Sequence, residues 1–344
     1  MQARVNIVIP AIKVNDELLK CLRGINKINY SNFFVTIVLD KNSNIKFPKY
    51  KYKIKKLIVN KINMSKKRNI AVKKFQSKYI AFIDSDAYPN KNWLKLGIKY
   101  LKSKKADVVG GPGLPFPNEN YVQKICYFSK RSYFVTGYLS FRKYKAKKRF
   151  CDWLESCNLI MKKRFFLKYG GMDEKRYTGE DKEFFIRVRK KKQDLKVFYS
   201  PDLYIHHKER RMFGFFLQRF VFGMDFINLM NTSSGLLGLQ PLIPVLLILS
   251  TIIFLFSNII WPLKFIIFSV LVGVVCIAIL FDILRYAKSF KSIFFTICTI
   301  VLANVSFALG SIVTLIGLRK ILDVKTYSFS RNKEKIISKL FLKT

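Results

Sequence analysis

The sequence predicts an α/β domain with helices layered on a sheet, followed by a helical membrane region. Three observations carry this. From Val5 to Gly111, short apolar strand-like runs alternate with helix-spaced segments. Three long uncharged runs lie towards the C-terminal end. Half of the 344 residues are hydrophobic (50%), with 32 Phe and 17 Tyr, which is too apolar for a chain that stays disordered. The length suits roughly two domains.

Val5–Pro10 reads as a short strand ending in Pro, and Asn15–Ile28 as a helix with inward Leu18, Leu19, Leu22 and Ile25 behind an Asn15 cap. Phe33–Asp40 and Lys55–Asn60 read as the next strands. Ser65 is the expected cap of a helix running to Gln76. Tyr79–Asp84 is a nearly continuous apolar strand, Asn92–Lys102 a helix and Asp107–Gly111 a strand. Alternation of this kind implies a parallel sheet covered on both faces, and continuous apolar strands fit that burial. Ligands of such sheets bind beyond the strand C-termini, where Asp40, Asn60, Asp84 and Asp86 stand. Further on, Asp181–Lys191 reads as a helix with Phe184, Phe185 and Val188 inward.

Leu239–Ser257, Ile260–Phe281 and Ile293–Leu318 are each long enough for the ~20 apolar residues of a membrane span. Met1–Arg4 leads directly into a strand-like run rather than a signal peptide, so the part before Arg210 is expected in the cytoplasm. Arg285, Lys288 and Lys291 place the second connection inside by the positive-inside rule, whereas the basic tail after Arg319 conflicts with three spans under the same rule. Three spans are the expectation, and the division is 1–230 for the first domain, 231–320 for the spans (239–257, 260–281, 293–318) and 321–344 for the tail. The aromatic segment Arg211–Met230 either lies in the membrane interface or packs under the first domain.

Lys and Arg number 63 against 21 Asp and Glu, a formal charge of +42, which points to an anionic partner or surface. No RNP, zinc-finger or helix-turn-helix signature accompanies the charge, so nucleic acid is not the expected partner. Six Cys without a CxxC pair disfavour a zinc ribbon or a disulfide scaffold. Neither GxGxxG nor GxxxxGKS occurs, leaving a dinucleotide site and a P-loop unsupported. The run Arg142, Lys143, Lys145, Lys147, Lys148, Arg149 touches either anionic lipid, a lipid-linked pyrophosphate or solvent alone.

Against so few acids, Asp84-Ser85-Asp86 at the end of an apolar strand stands out. Two carboxylates spaced i, i+2 suit Mg²⁺ or Mn²⁺ shared with substrate phosphates, while the alternative is a plain Asx turn. Glu180-Asp181 opens a helix, where capping and the helix dipole also favour acids. His206-His207, the only histidines, are either a ligand pair or ordinary polar residues.

Taken in order, these segments resemble the family 2 glycosyltransferases, which have the GT-A fold, a Rossmann-like mixed sheet. Asn6-Ile7-Val8-Ile9-Pro10 is similar to the family's opening strand, and Thr36-Ile37-Val38-Leu39-Asp40 to its second strand, whose terminal Asp reads the nucleotide base. Arg68-Asn69 resembles the segment before the DxD strand, and Asp84-Ser85-Asp86 the DxD motif. Residues 158–162, 170–174 and Gly179-Glu180-Asp181-Lys182-Glu183-Phe184 resemble the acceptor-side block. The resemblance spans roughly Val5 to Asn228. Two stretches depart from the pattern: no second acid follows Asp40, and Phe75-Gln76-Ser77-Lys78 replaces a Gly-containing approach to the DxD strand.

The resemblance implies an inverting hexosyltransferase (EC 2.4) that uses a nucleotide-sugar donor and acts on a cell-surface polysaccharide or lipid-linked glycan acceptor at the inner face of the cell membrane. It implies donor binding by Pro10, Asp40, Arg68, Asn69, Asp84 and Asp86, and a Mg²⁺ or Mn²⁺ ion on Asp86, Asp84 and His206. His206 and His207 point to opposite faces if a strand carries them, so only one is expected to serve. Asp181 is the expected base, kept ionised by the helix terminus, with Glu180 facing the acceptor. The competing expectation is a catalytically inactive glycosyltransferase-like subunit of a membrane assembly.

Overall fold

The computed structural model describes residues 3–40, 47–176, 178–232 and 261–318, with isolated positions between 243 and 256. The expected first span (239–257), the tail (321–344) and the turn after Asp40 fall outside the described residues, apart from those isolated positions. The chain divides into two compact units, Met1–Pro117 with Phe141–Lys208 and Asn118–Ser140 with Glu209–Thr344.

In the first unit, β1 (Val5–Pro10) and β2 (Phe33–Leu39) are buried at every position, as strands covered on both faces must be. Between them α1 (Asp16–Ile25) starts where the Asn15 side chain accepts from Leu18 N, and it buries Leu18, Cys21, Leu22 and Ile25. β3 (Lys53–Ile58) is the edge strand, and its exposed lysines discourage pairing with another chain. α2 (Met64–Lys74) is capped by Asn63 rather than by Ser65, which lies within the helix. β4 (Tyr79–Ile83) follows, fully buried, then β5 (Ala87–Pro89) and α3 (Trp93–Ser103).

β6 (Val108–Gly110) and β7 (Gly113–Leu114) precede the segment that joins the second unit, and β8 (Arg149–Cys151) and β9 (Asn158–Lys162) resume the first. The strand order also includes β10 (Val197–Tyr199) and β11 (Ile205–His207). The main sheet runs β3-β2-β1-β4-β9-β6-β10-β8. Pairing is parallel from β3 to β4, but β9 runs antiparallel to both β4 and β6. The sheet is therefore mixed, not parallel throughout as alternation alone implied.

A second sheet, β5-β11-β7, lies beyond the end of β4, with His207 opposite Ala87 and His206 opposite Tyr88. Asn158 ties the two sheets: it accepts from Trp93 Nε1 at 2.8 Å and donates to Gly111 O at 3.0 Å and Leu203 O at 2.7 Å. A buried amide with three bonds is satisfied, and its loss would orphan all three partners.

The second unit holds α4 (Tyr121–Arg131) and α5 (Tyr133–Thr136). An Asn120–Gln123 capping box starts α4. In the first unit, α6 (Lys163–Lys168) and α7 (Glu180–Lys191) follow β9. The second unit continues with α8 (Met212–Thr232), α9 (Trp261–Ile283) and α10 (Phe290–Leu315). α9 and α10, of 23 and 26 residues, are long and apolar enough to cross a membrane. α8 and α10 cross closely at glycines: a methyl group on Gly223 would lie 1.9 Å from Phe307 O, and one on Gly310 the same distance from Phe220 O. Ser311 Oγ donates to Gly223 O at 3.2 Å across this crossing. Asp282, buried near the end of α9, accepts from Ser132 Oγ and Tyr133 N at 2.6 and 2.9 Å and so caps α5.

Candidate active site

β4 drives its apolar residues into the core and releases Asp84 at its C-terminal edge, where Ala87 N bonds back to Asp84 O and closes the turn carrying Asp86. The antiparallel pairing of β5 with β11 then fixes which histidine meets these acids. His207 faces Ala87, and Lys208 N donates to Asp86 O. His207 Nε2 lies 3.3 Å from Asp86 Oδ1 and 3.6 Å from Asp84 Oδ2.

The expected histidine was His206. Its ring points the opposite way, with Nδ1 2.7 Å from Pro115 O and the ring between Phe116 and Tyr204. Alternation along β11 allows one histidine of the two, and the register selects His207. One oxygen or nitrogen from each of Asp84, Asp86 and His207 falls within 4.8 Å of the others, a donor set that fits a divalent cation such as Mn²⁺ or Mg²⁺.

α2 has few apolar residues, yet it buries Lys67, Arg68 and Asn69, because each polar head finds a partner. Lys67 Nζ lies 2.9 Å from Asp40 Oδ2 and donates to Ala11 O at 2.6 Å, gathering the ends of β1, after Pro10, and β2. Arg68 reaches Asp84 with Nη2 at 2.8 Å and Glu180 with Nη1 at 3.0 Å. Asn69 donates to Met172 O and Glu174 Oε1 and accepts from Met172 N, so its amide is spent on the turn 170–174. Gly171 has φ +72°, and a methyl group there would meet Asn69 Oδ1 at 2.6 Å, which explains a glycine at that bend.

The carboxylates differ in their surroundings. Burial alone would raise the Asp84 carboxyl, but the hydrogen bond to His207 and the Arg68 guanidinium hold it at about 2. Asp181 is the reverse. Burial first, then the charge of Glu180, pushes it up to about 7, although Ser156 N and Lys182 N donate to it at 3.1 and 2.8 Å. The helix terminus was expected to lower this group, and burial outweighs it. A carboxylate titrating near neutrality is matched to taking up a proton.

Several residues around Asp181 were not singled out in the sequence. Glu155 accepts from Lys143 at both oxygens at 2.7 Å; burial would raise its carboxyl, but Lys143 and Arg142 keep it at about 2. Trp153 carries the Arg142 guanidinium 3.8 Å from its ring centroid and Lys182 Nζ at 6.0 Å. Of the basic run 142–149, Arg142 is buried, Lys143 is paired with Glu155 and Lys148 with Asp202. The scarcity of Trp (3 in the chain) was the one available signal for Trp153.

A family model described as Glycosyl transferase family 2 matches residues 6–164. No curated protein matches the chain. Among solved structures, the mannosyltransferase PcManGT from Pyrobaculum calidifontis, in complex with GDP-Man and Mn²⁺, superposes with a TM-score of 0.60. It is 11% identical over 92% of this chain and 88% of that one. TarS of S. aureus gives a TM-score of 0.44 at 15% identity, covering 76% of this chain, and the chain spans 41% of TarS. A shorter TarS, residues 1–349, in complex with UDP-GlcNAc matches at 0.44 and 16% identity over 76% of this chain and 69% of that one. The GT-A sheet domain followed by long C-terminal helices, expected from the sequence, is thus found.

Proposed function

We propose, from the premise that this chain is a glycosyltransferase carrying a glycosyl transferase family 2 domain, that it transfers a sugar with inversion from a nucleotide-sugar donor to a polysaccharide or lipid-linked glycan. The observation that carries this is the convergence of Asp84, Asp86 and His207 at the end of β4. PcManGT, a protein of the same fold, holds GDP-Man and Mn²⁺, which supports a divalent ion and a nucleotide diphosphate here. Such an ion on Asp84, Asp86 and His207 would neutralise the charge that develops on the departing nucleoside diphosphate.

The remaining steps belong to the chain's own residues. Asp40, Lys67 and the backbone after Pro10 line the strand ends where the nucleotide base and ribose are placed. Arg68 holds Asp84 and Glu180 in one arrangement. Asp181 takes the proton of the acceptor hydroxyl as its oxygen bonds to the anomeric carbon. The bond from that carbon to the diphosphate oxygen breaks on the opposite face, and its electron pair leaves with the nucleotide. Glu180 orients the acceptor. α9 and α10 anchor the protein in the cell membrane in contact with lipid, and the first unit, with the carboxylates, works on the cytoplasmic side.

Transfer by purified protein from a panel of nucleotide sugars, with Mn²⁺ and with excess chelator, tests this reading. Metal-dependent transfer from one donor class is expected. Full turnover in chelator, or no nucleotide binding with any member of the panel, would refute it.

A further inference from the structure

We propose that the outward face of α4 and α5, together with the α9–α10 turn, is a membrane-surface site for the anionic headgroups of phospholipids, built on Tyr121, Lys124, Tyr133, Lys288 and Lys291. The proposal rests on the reading that α9 and α10 span the membrane.

The turn fixes where the water boundary lies. α9 ends at Ile283 and α10 begins at Phe290, so both helices reach one face of the bilayer here. Asp282 and Arg285 pair at this end, and Lys288 and Lys291 follow. Charged groups mark the headgroup level, since the hydrocarbon core disfavours them.

α4 and α5 are docked at that same level. Asp282 accepts from Ser132 Oγ and Tyr133 N. Tyr121 meets Phe295 edge-on with ring centroids 6.3 Å apart, and Lys291 Nζ stands 5.3 Å from the Tyr121 centroid. The rings of Phe128 and Tyr286 are 5.7 Å apart. Inward, Cys126 of α4 and Val135 of α5 join a buried cluster with Phe215, Ile279, Ile283 and Ile300. Short helices fixed to the ends of two spans lie along the boundary rather than across it.

Their outward residues suit that place. Tyr121 is 40% exposed, Tyr133 49% and Phe290 84%, and Val122 and Phe294 are exposed as well. Exposed aromatic residues gathered in this way mark an interaction surface, and tyrosine favours the headgroup level, where its ring and its hydroxyl are both satisfied. Lys124, Lys288 and Lys291 are exposed among them, and residues 284–295 contain no acid. Apolar burial and charge then act together in drawing this face to anionic lipid. The attraction is between a basic surface and many headgroups, so Lys291 can keep its place over Tyr121 while contributing to it.

The test places a tryptophan at the site and reads its quenching by brominated lipid. Full-length Tyr133→Trp is reconstituted in phosphatidylcholine bilayers holding a minor share of phosphatidylglycerol, and the wild-type signal is subtracted. Shallow bromines should quench the added indole more than bromines near the bilayer centre. Brominated phosphatidylglycerol should quench it more than the same share of brominated phosphatidylcholine. Lys288→Gln and Lys291→Gln should each lower the relative affinity for phosphatidylglycerol by up to about fivefold, the scale of one charge near an anionic surface. Tyr121→Trp repeats the measurement at a second exposed position.

Phe268→Trp, in the body of α9, judges the spans themselves and should be quenched most by the central bromines. If it is, while neither tyrosine variant is quenched, this face meets water or another protein chain and the proposal falls with the spans intact. Equal quenching by the two headgroups, unchanged in Lys288→Gln and Lys291→Gln, also overturns it. Absence of quenching at all three positions removes the spans and the surface together.

Discussion

Arg68 donates to Glu180 through Nη1 at 3.0 Å, and the same buried guanidinium reaches Asp84 through Nη2 at 2.8 Å. One side chain thus links the carboxylate at the end of β4 to the acidic pair that opens α7. A fork of planar donors suits this bridge, and a lysine, as a point charge, does not reproduce it.

Replacing Arg68 by Met removes the shared guanidinium from two carboxylates, leaving only His207 near Asp84 and the Ser156 hydroxyl on Glu180. The expected loss of stability is about 3–5 kcal/mol, the scale of breaking a buried ion pair. Arg68→Lys should recover part of the stability but little of the turnover. Thermal unfolding beside transfer rates checks both, and an Arg68→Met protein with wild-type melting and turnover would show that the bridge is dispensable.

Asp181 must be ionised to accept a proton, and its folded pKa is about 7. The rate should therefore fall as pH drops through about 7. Glu180→Gln removes one of the charges that raise this group, so the same limb should move to lower pH. The sign for stability is opposite: a carboxyl raised by folding favours the protonated form. Its contribution is complete below the ordinary carboxylate range and is lost as pH rises through about 7. Asp181→Asn should reduce turnover by about 10² or more with donor affinity nearly unchanged. A pH–rate profile with no limb near neutrality would remove Asp181 as the base.

The crossing of α8 and α10 should tolerate no side chain at Gly223 or Gly310, where an added methyl group would meet a backbone carbonyl oxygen. Gly310→Val should destabilise the protein by about 1–3 kcal/mol or more, the usual scale of overpacking. Gly273 on α9 has nothing within 4 Å of the same position. Gly273→Ala should therefore be neutral or slightly stabilising, by up to about 1 kcal/mol from helix propensity. Melting in detergent compares the two, and an unchanged melt for Gly310→Val would show that this crossing adds nothing to stability.

The strands β1, β2 and β4 were legible because strands covered on both faces read as unbroken apolar runs, and the cap at Asn15 because its amide type and position agree. The start of α2 was not, since Asn63 and Ser65 are both capping residues two positions apart and only the built helix chooses Asn63. The antiparallel course of β9 was also hidden. Pairing direction leaves no mark on a strand buried at all but its last position, and β5, β7 and β11 are too short to show a period. At the site, Asp84 and Asp86 stood out by scarcity of acids. Alternation predicted that one histidine would face them, but the choice of His207 depends on a register with Ala87 some 120 residues earlier in the chain, as 207 minus 87 gives. The pKa of Asp181 depends on burial, which a local helix rule does not contain.

The grouping of Asp84, Asp86 and His207 as the seat of a metal-dependent nucleotide site is most directly tested by calorimetric titration of UDP and GDP with and without Mn²⁺. The wild type and His206→Ala should both bind one of these nucleotides in a Mn²⁺-dependent manner. His207→Ala should weaken that binding about tenfold, and Asp86→Ala further, as expected for ligands of one ion. Equal nucleotide affinity in excess chelator, or a loss confined to His206→Ala, would contradict the account.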